Sequence, residues 1–444
     1  MKTLYFSLLL AIPLFSACDV LDVKPEDAIP ADAAFKDKKG IERGIEGCYS
    51  TFQNLSYYGR SYIIFGDLSA DNLIHPPDAT SSDYAEIATN SILPENTAVA
   101  SLWASFYEGI NDANNIIAKV PEMGDMTDAE KSQALGELYF IRALDHFNLA
   151  NLFGPVPVKT KPTIGVSNLD AGRDPVEAVY ARVIEDLTYA EQNLAASASK
   201  KARATKYAAK ALLARVYLYN EDYALAYDKA DEVITDGGYQ LPDNFADVFA
   251  SDGSPETIFE IDFSEVDRNR VAEYNFPKTL NGRQEVAPAP DLVSAYLPDD
   301  ERRNVTLAWE GAWAYANKYN DLSKGADNII VLRLAEMYLI KAEAEVHLPD
   351  ADLGQVRDNI NVIRERANIP PVTASTEADL LLAIENERRL EFAFEGLRWY
   401  DLVRTGRATE IIPTVTNETK ILYPIPTAEL QTNNSPQMTQ NPGY

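Results

Sequence analysis

Apolar residues recur every three to four positions along most of this chain, in amphipathic segments that come in adjacent pairs joined by two to five polar residues. In 101–120, Leu102, Phe106, Ile110, Ala113 and Ile117 share one helical face, and in 133–152 Leu135, Leu138, Ile141 or Ala143, Phe147 and Ala150 do the same. Segments 174–196, 205–219, 221–235, 331–347, 353–367 and 376–404 follow the pattern. Helices joined by so few residues lie antiparallel, and neither member buries its apolar face alone, so the pairs must stack.

The segment 210–242 shows the unit most clearly. Leu213, Ala214, Tyr217, Ala226, Ala230 and Val233 occupy the large and small positions of a tetratricopeptide repeat, Asn220-Glu221-Asp222 forms the inter-helix turn and Pro242 follows the second helix. The expected fold is therefore mainly α, a tetratricopeptide-like solenoid of helical hairpins with a long irregular, loop-rich region and minor β. Two stretches depart from the period. Residues 54–100 are rich in Tyr, Asp, Ser and Pro, and 236–330 combine β-like runs such as 257–263 with many turn residues, Trp309 and Trp313. Long loops on a rigid scaffold are either functional or disordered, and their aromatic content favours function.

The charge narrows the class of partner. Against 40 Lys+Arg stand 68 Asp+Glu, a formal charge of −28 over 444 residues, which excludes a nucleic acid because such binding draws its affinity from cations that displace counterions. Two cysteines and three histidines supply neither a disulfide framework nor a closed zinc site, and no metal or cofactor is expected. His75, His146 and His347 stand in no metal-binding spacing, and the chain has no nucleophile elbow, phosphate loop or dinucleotide fingerprint.

At the N-terminus Lys2 precedes an apolar run from Leu4 to Phe15 and then Ser16-Ala17-Cys18, the layout of a secretory signal over residues 1–17. The last residues resemble a bacterial lipobox, with Phe15 where leucine is usual, which makes Cys18 the lipidation site and leaves Cys48 a lone thiol. The other reading is an ordinary signal peptide cleaved near a cysteine. No later segment is apolar enough to span a bilayer, so attachment would be by lipid alone.

Five blocks then occur in order. Leu21-Asp22-Val23-Lys24-Pro25 leads to Phe35, and residues 137–158 run from Glu137-Leu138-Tyr139-Phe140-Ile141-Arg142 to Gly154-Pro155-Val156-Pro157-Val158. Residues 387–406 begin Glu387-Arg388-Arg389-Leu390-Glu391-Phe392 and continue through Gly396, Trp399-Tyr400-Asp401-Leu402 and Gly406; Tyr423-Pro424-Ile425-Pro426 and Asn441-Pro442-Gly443-Tyr444 close the series. With Leu332-Arg333-Leu334-Ala335-Glu336 and the lipobox, these resemble the SusD/RagB family of Bacteroidetes surface lipoproteins. The resemblance implies a single SusD-like domain over 18–444, with four tetratricopeptide-like hairpins and insertions at about 54–100 and 236–330. It implies no catalytic activity, an outer-membrane protein facing the cell exterior, and capture of oligosaccharides for a SusC-like, TonB-dependent transporter partner. Some members handle peptides, so peptide capture by the same fold stays open, as does a scaffold that gates the transporter and binds nothing itself.

Glu387, Glu391 and Glu395 fall four residues apart on one helical face and invite an acid/base or glycosidase reading. Arg388, Arg389, Arg398 and Arg404 among them favour charge-assisted pairing, which keeps carboxylates ionised where a general acid needs a raised pKa. Trp399, Tyr400 and Trp103 are read as core. Sugar binding needs an aromatic face for the C–H side of a ring and polar groups for its hydroxyls. The irregular stretches offer Tyr57, Tyr58, Tyr62, Tyr84, Tyr274, Trp309, Trp313 and Tyr315 as platforms. Arg60, Asp71, Asn72, Asp83, Asn90, Asn275 and Asn281 are their polar partners. Trp309 and Trp313 are i, i+4 if that segment is helical. An acidic surface favours neutral ligands unless Arg60, Arg268, Arg270 and Arg283 gather into a basic patch.

Overall fold

The computed structural model describes residues 34–163 and 169–444. The signal segment 1–17, the lipobox and the lipidation site Cys18 lie outside the described residues. Helices α1 (Lys38–Thr51), α2 (Ser61–Leu68), α3 (Thr97–Lys119), α4 (Asp128–Phe153), α5 (Val176–Asn193), α6 (Lys206–Tyr219) and α7 (Tyr223–Asp236) form the first run. Helices α8 (Leu334–Val346), α9 (Leu353–Arg366), α10 (Glu377–Glu391) and α11 (Arg398–Arg404) form the second. Successive long helices pack on one another, α3 on α4, α4 on α5, α6 on α7, α7 on α8 and α8 on α9, as a hairpin stack requires. No helix among the described residues is long and apolar enough to cross a membrane.

The starts follow from local chemistry. Thr127 and Glu130 make a reciprocal capping box at the head of α4, and Asn96, Thr205, Asp352 and Thr376 each accept a backbone N–H at the starts of α3, α6, α9 and α10. Two segments differ from the sequence expectation. Residues 54–100 are partly helical, holding α2 and the short helix Ser82–Ala88. The span 376–404 is two helices, because Phe394 and Gly396 take φ of 67° and 76° in the turn between α10 and α11, which ends the helical hydrogen bonding.

Between α7 and α8 the chain leaves the stack. Strands β1 (Leu73–Ile74), β2 (Thr257–Ile261), β3 (Ala287–Pro288), β4 (Leu307–Glu310), β5 (Trp313–Ala316) and β6 (Ile329–Arg333) form three antiparallel pairs, β1–β3, β2–β6 and β4–β5. The β2–β6 pair is buried along its whole length and ties the irregular region to the helices. Trp103, Trp399 and Tyr400 are core residues, and Cys48 is a buried free thiol whose pKa burial pushes up.

Asp145 on α4 is an exception among the buried acids. Neither of its oxygens has a hydrogen-bond partner, and burial raises its pKa well above the carboxylate range while the nearby Tyr57 hydroxyl opposes only in part. In the unfolded chain an aspartate ionises above pH ~3.9, so the native state, which keeps Asp145 protonated, loses about 1.4 kcal/mol of relative stability per pH unit from there up to its folded pKa. Asparagine keeps the shape without the titration. Urea denaturation of Asp145→Asn and wild type at several pH values should therefore show the variant gaining on wild type as pH rises above about 4; parallel pH curves would refute the assignment.

Candidate functional site

The exposed end of the irregular region is the β4–β5 hairpin. Its register pairs Leu307 with Ala316, Ala308 with Tyr315, Trp309 with Ala314 and Glu310 with Trp313. Gly311, with φ of 61°, takes the first of the two loop positions, where a tight hairpin turn needs a residue free of a Cβ. Residues opposite one another share a face, so Trp309 lies on the face of Leu307 and Ala316, and Trp313 on the face of Ala308 and Tyr315. The helical i, i+4 expectation is corrected: the two tryptophans belong to a hairpin and point to opposite sides. Leu307 and Ala316 anchor its base in the interior, while Trp309 is 37% exposed and Trp313 61%. The Arg303 guanidinium lies 4.4 Å from the Trp309 ring centre and covers it. Trp313 carries no such cover among the described residues.

Below Trp313 the same face continues inward. Tyr315 meets Phe276 edge-on at 4.6 Å between ring centres. Two residues before Phe276, the Tyr274 ring is flanked by the guanidinium of Arg60 at 4.4 Å and that of Arg283 at 4.9 Å, and Arg60 Nη1 donates to its hydroxyl at 2.8 Å. Glu285 braces this corner. It accepts from the backbone N–H groups of Thr80 and Ser81 and from the Thr80 hydroxyl. Burial works to raise its pKa, but these bonds hold it below the usual range. His75 sits 3.8 Å from Glu285, its pKa lowered by burial.

Several expected contact residues are interior instead. Tyr57, Tyr58 and Tyr62 are buried around Asn148 of α4: Tyr62 donates to its Oδ1 at 2.7 Å, and its amide donates to the hydroxyls of Tyr57 and Tyr58 at 2.6 and 3.3 Å. Tyr57 and Tyr58 stack on each other at 4.5 Å and so offer no ring face to a ligand. Tyr84 is buried between Phe65 and Tyr274. Asp71 is clasped by Arg389 at 3.1 Å and Arg398 at 2.7 Å, and Asn72 bridges Asp67 and Arg389. Asn275 donates back to Val271 O inside the short helix Val271–Asn275, Asn90 donates to Ser69 O, and Asp83 accepts from Thr97 and Ala98 at the start of α3. As ligand contacts these are corrected, because they are packed into the interior or engaged within the scaffold. Trp313 and the half-buried Tyr315 remain on one face of the hairpin and Trp309 on the other, while Arg60 is half-buried and Tyr274 is itself buried beneath Arg60 and Arg283. Arg303, Glu310 and Phe276 were not singled out in the sequence. The alternation Leu307-Ala-Trp-Glu-Gly-Ala-Trp-Ala-Tyr-Ala316, with glycine at its centre, is a hairpin signal that reveals Glu310.

The motif carboxylates form an ion network and no open cleft. Arg302 engages Asp300, Glu387 and Glu391; Arg333 engages Glu256, Glu391 and Glu395; Arg366 bridges Glu256 and Glu391; Arg364 meets Glu387 and Lys318 meets Glu395. Burial alone would raise Glu391 and Glu395, but Arg366 and Arg333 at the first, and Arg333 and Lys318 at the second, hold both below the carboxylate range. Groups so held cannot serve as general acids.

The comparisons agree with this architecture. Residues 19–218 match the family described as "Starch-binding associating with outer membrane", and residues 313–412 match the SusD family. The chain is 28% identical to SusD-like protein P38 of Formosa agariphila over 99% of its own length and 98% of the relative's. To the starch-binding protein SusD of Bacteroides thetaiotaomicron it is 36% identical over 129 residues, 26% of this chain and 22% of that one. Among solved structures it superposes on a SusD superfamily protein from Bacteroides vulgatus with a TM-score of 0.84 at 22% identity, covering 92% of this chain and all of the other. A laminarin-binding SusD-like protein gives a TM-score of 0.81 at 26% identity over 92% of this chain and all of the other. With the helical stack, the motif-built ion network and both family matches in agreement, the chain belongs to the SusD/RagB family.

Proposed function

We propose that this protein binds oligosaccharides at the cell surface through the face of the β4–β5 hairpin that carries Trp313. The observation that carries the reading is that ring: 61% exposed, uncovered among the described residues, and fixed on a hairpin whose base is buried. A rigid indole offers the apolar side of a sugar ring a flat partner at little entropic cost, and Glu310, paired across the strands with Trp313, supplies an acceptor for hydroxyls. The laminarin-binding and starch-binding relatives support a glucan-type backbone as the first ligand to try. In this reading residues 1–17 are removed, Cys18 carries the lipid anchor, and 18–444 act as one domain at the outer membrane. The captured sugar passes to a TonB-dependent transporter.

Isothermal titration with laminari- and malto-oligosaccharides tests it. Trp313→Ala should weaken binding by about 1–3 kcal/mol, by analogy with bases stacked on aromatic rings, without moving the unfolding midpoint, since the ring is largely in solvent. Trp309→Ala should do less, because Arg303 occupies its face. Unchanged affinity in both variants would overturn the placement of the platform. In cells, Cys18→Ser should release the protein from the membrane fraction.

A further inference from the structure

The arginines divide into two populations. Arg302, Arg333, Arg366 and Arg388 are buried, and each is paired with carboxylates. On the exposed side, Arg60 pairs with no carboxylate among the described residues: its Nε and Nη2 share the Ser61 hydroxyl and its Nη1 goes to the Tyr274 hydroxyl. Arg283, its side chain 45% exposed, has one long contact to a carboxylate, Glu285 at 3.4 Å, whose oxygens also accept from Thr80 and Ser81. Arg270 stands beside them, its backbone N–H bonded to Gly59 O next to Arg60 and its guanidinium 3.5 Å from Glu273. A chain with 68 acidic residues against 40 basic ones has carboxylates to spare, yet here it places two guanidinium groups on one tyrosine ring, Arg60 with no carboxylate among the described residues and Arg283 with one long pair.

We infer that the oligosaccharide bound at this surface carries an anionic group, a carboxylate or a sulfate ester, seated between Arg60 and Arg283 at the Tyr274 ring. This rests on the glycan-binding reading above and adds the chemical class of the glycan. Stacking on the ring fixes the plane of each guanidinium while leaving N–H groups at its edge to bond an oxyanion, which a flexible ammonium does less selectively. The Tyr274 corner joins the Trp313 face through Phe276 and Tyr315, so one extended ligand can stack on the indole and present its charge to the arginines.

The test is titration of the full chain with three oligosaccharides of matched length: laminari-oligosaccharide as the neutral probe, oligogalacturonate for the carboxylate and chondroitin sulfate oligosaccharide for the sulfate. At about 50 mM salt one or both acidic probes should bind about tenfold tighter than the neutral one, and the preference should shrink near 500 mM as screening grows. Arg283→Gln should remove about tenfold of that preference, read as the ratio of acidic to neutral affinity. Arg283→Lys should recover only part of it, because a single ammonium cannot replace the fork. Arg60→Gln, less exposed, should act in the same direction. Trp313→Ala should weaken acidic and neutral ligands alike. If neutral sugar binds and no acidic probe is preferred, or if Arg283→Gln leaves the preference intact, this inference falls while glycan binding stands. If none of the three binds, the functional reading itself falls.

Discussion

Replacing Arg333 by alanine should lower stability by about 3–5 kcal/mol, the cost of leaving a buried carboxylate without its counter-charge. All five N–H donors of this guanidinium are used: Nε on Glu395, Nη1 on Glu256 and Glu391, Nη2 on Glu395 and on the Glu391 carbonyl, at 2.6 to 2.8 Å. Around it five cations, Arg302, Arg333, Arg364, Arg366 and Lys318, balance five carboxylates, Asp300, Glu256, Glu387, Glu391 and Glu395. Removal of one cation leaves a net negative charge where water cannot reach it. The loss must depend on pH with a definite sign. Glu391 and Glu395 have depressed pKa values in the native state, so their contribution is complete above the unfolded glutamate pKa of ~4.3 and fades as pH falls below it. The gap between wild type and Arg333→Ala should be full at neutral pH and narrow in acid. Lys324→Ala, which breaks the exposed Lys324–Glu265 pair, should leave the urea midpoint essentially where it was. Equal effects from the two substitutions would contradict the buried network.

How much of this was legible in the sequence depended on how local the cause was. The long helices were, because an apolar stripe every three to four residues is written into consecutive positions. The pairing of Glu387, Glu391 and Glu395 with arginines was legible in kind, since charges of both signs alternate there, but the chief partners are Arg302, Arg333 and Arg366 and come from other segments. The aromatic run Tyr57, Tyr58 and Tyr62 read as a loop platform because its own composition is polar. Its burial is set by Asn148, about ninety residues away on α4, whose single amide satisfies three hydroxyls. The hairpin at Trp309 and Trp313 was missed for the opposite reason: a spacing of four suggested a helix, while the central Gly311 and the alternation of small and aromatic residues pointed to strands. Arg60 and Arg283 stood out as arginines able to gather, but their convergence on Tyr274 joins positions more than two hundred residues apart, which one dimension does not show.

One substitution, glycine to alanine, should shift stability in opposite directions at two helical positions. At Gly47, in the exposed middle of α1, a Cβ would meet nothing within 4 Å, so alanine should stabilise by about 0.5–1 kcal/mol through its better helix propensity. At Gly66 in α2 the added Cβ would fall 2.1 Å from the Gly396 carbonyl oxygen and 2.5 Å from its carbon. Those are backbone atoms and cannot rotate away. Gly396 is itself fixed, with φ of 76°, its own Cβ position 3.0 Å from Ile63, and its N–H donating to buried Asp67 at 2.9 Å. Alanine at 66 must therefore push α2 and the 393–396 turn apart. That turn carries Glu395, so the displacement also draws a carboxylate away from Arg333 and Lys318. Overpacking alone costs about 1–3 kcal/mol, and the disturbed ion pairs should carry Gly66→Ala to the upper end of that range or past it. Urea denaturation of the two single variants reads both signs in one experiment. A Gly66→Ala protein as stable as wild type would mean that α2 and the motif turn do not touch, and with that contact would go the account of how the motif at 387–406 locks the loop-bearing side of the molecule to its helical stack.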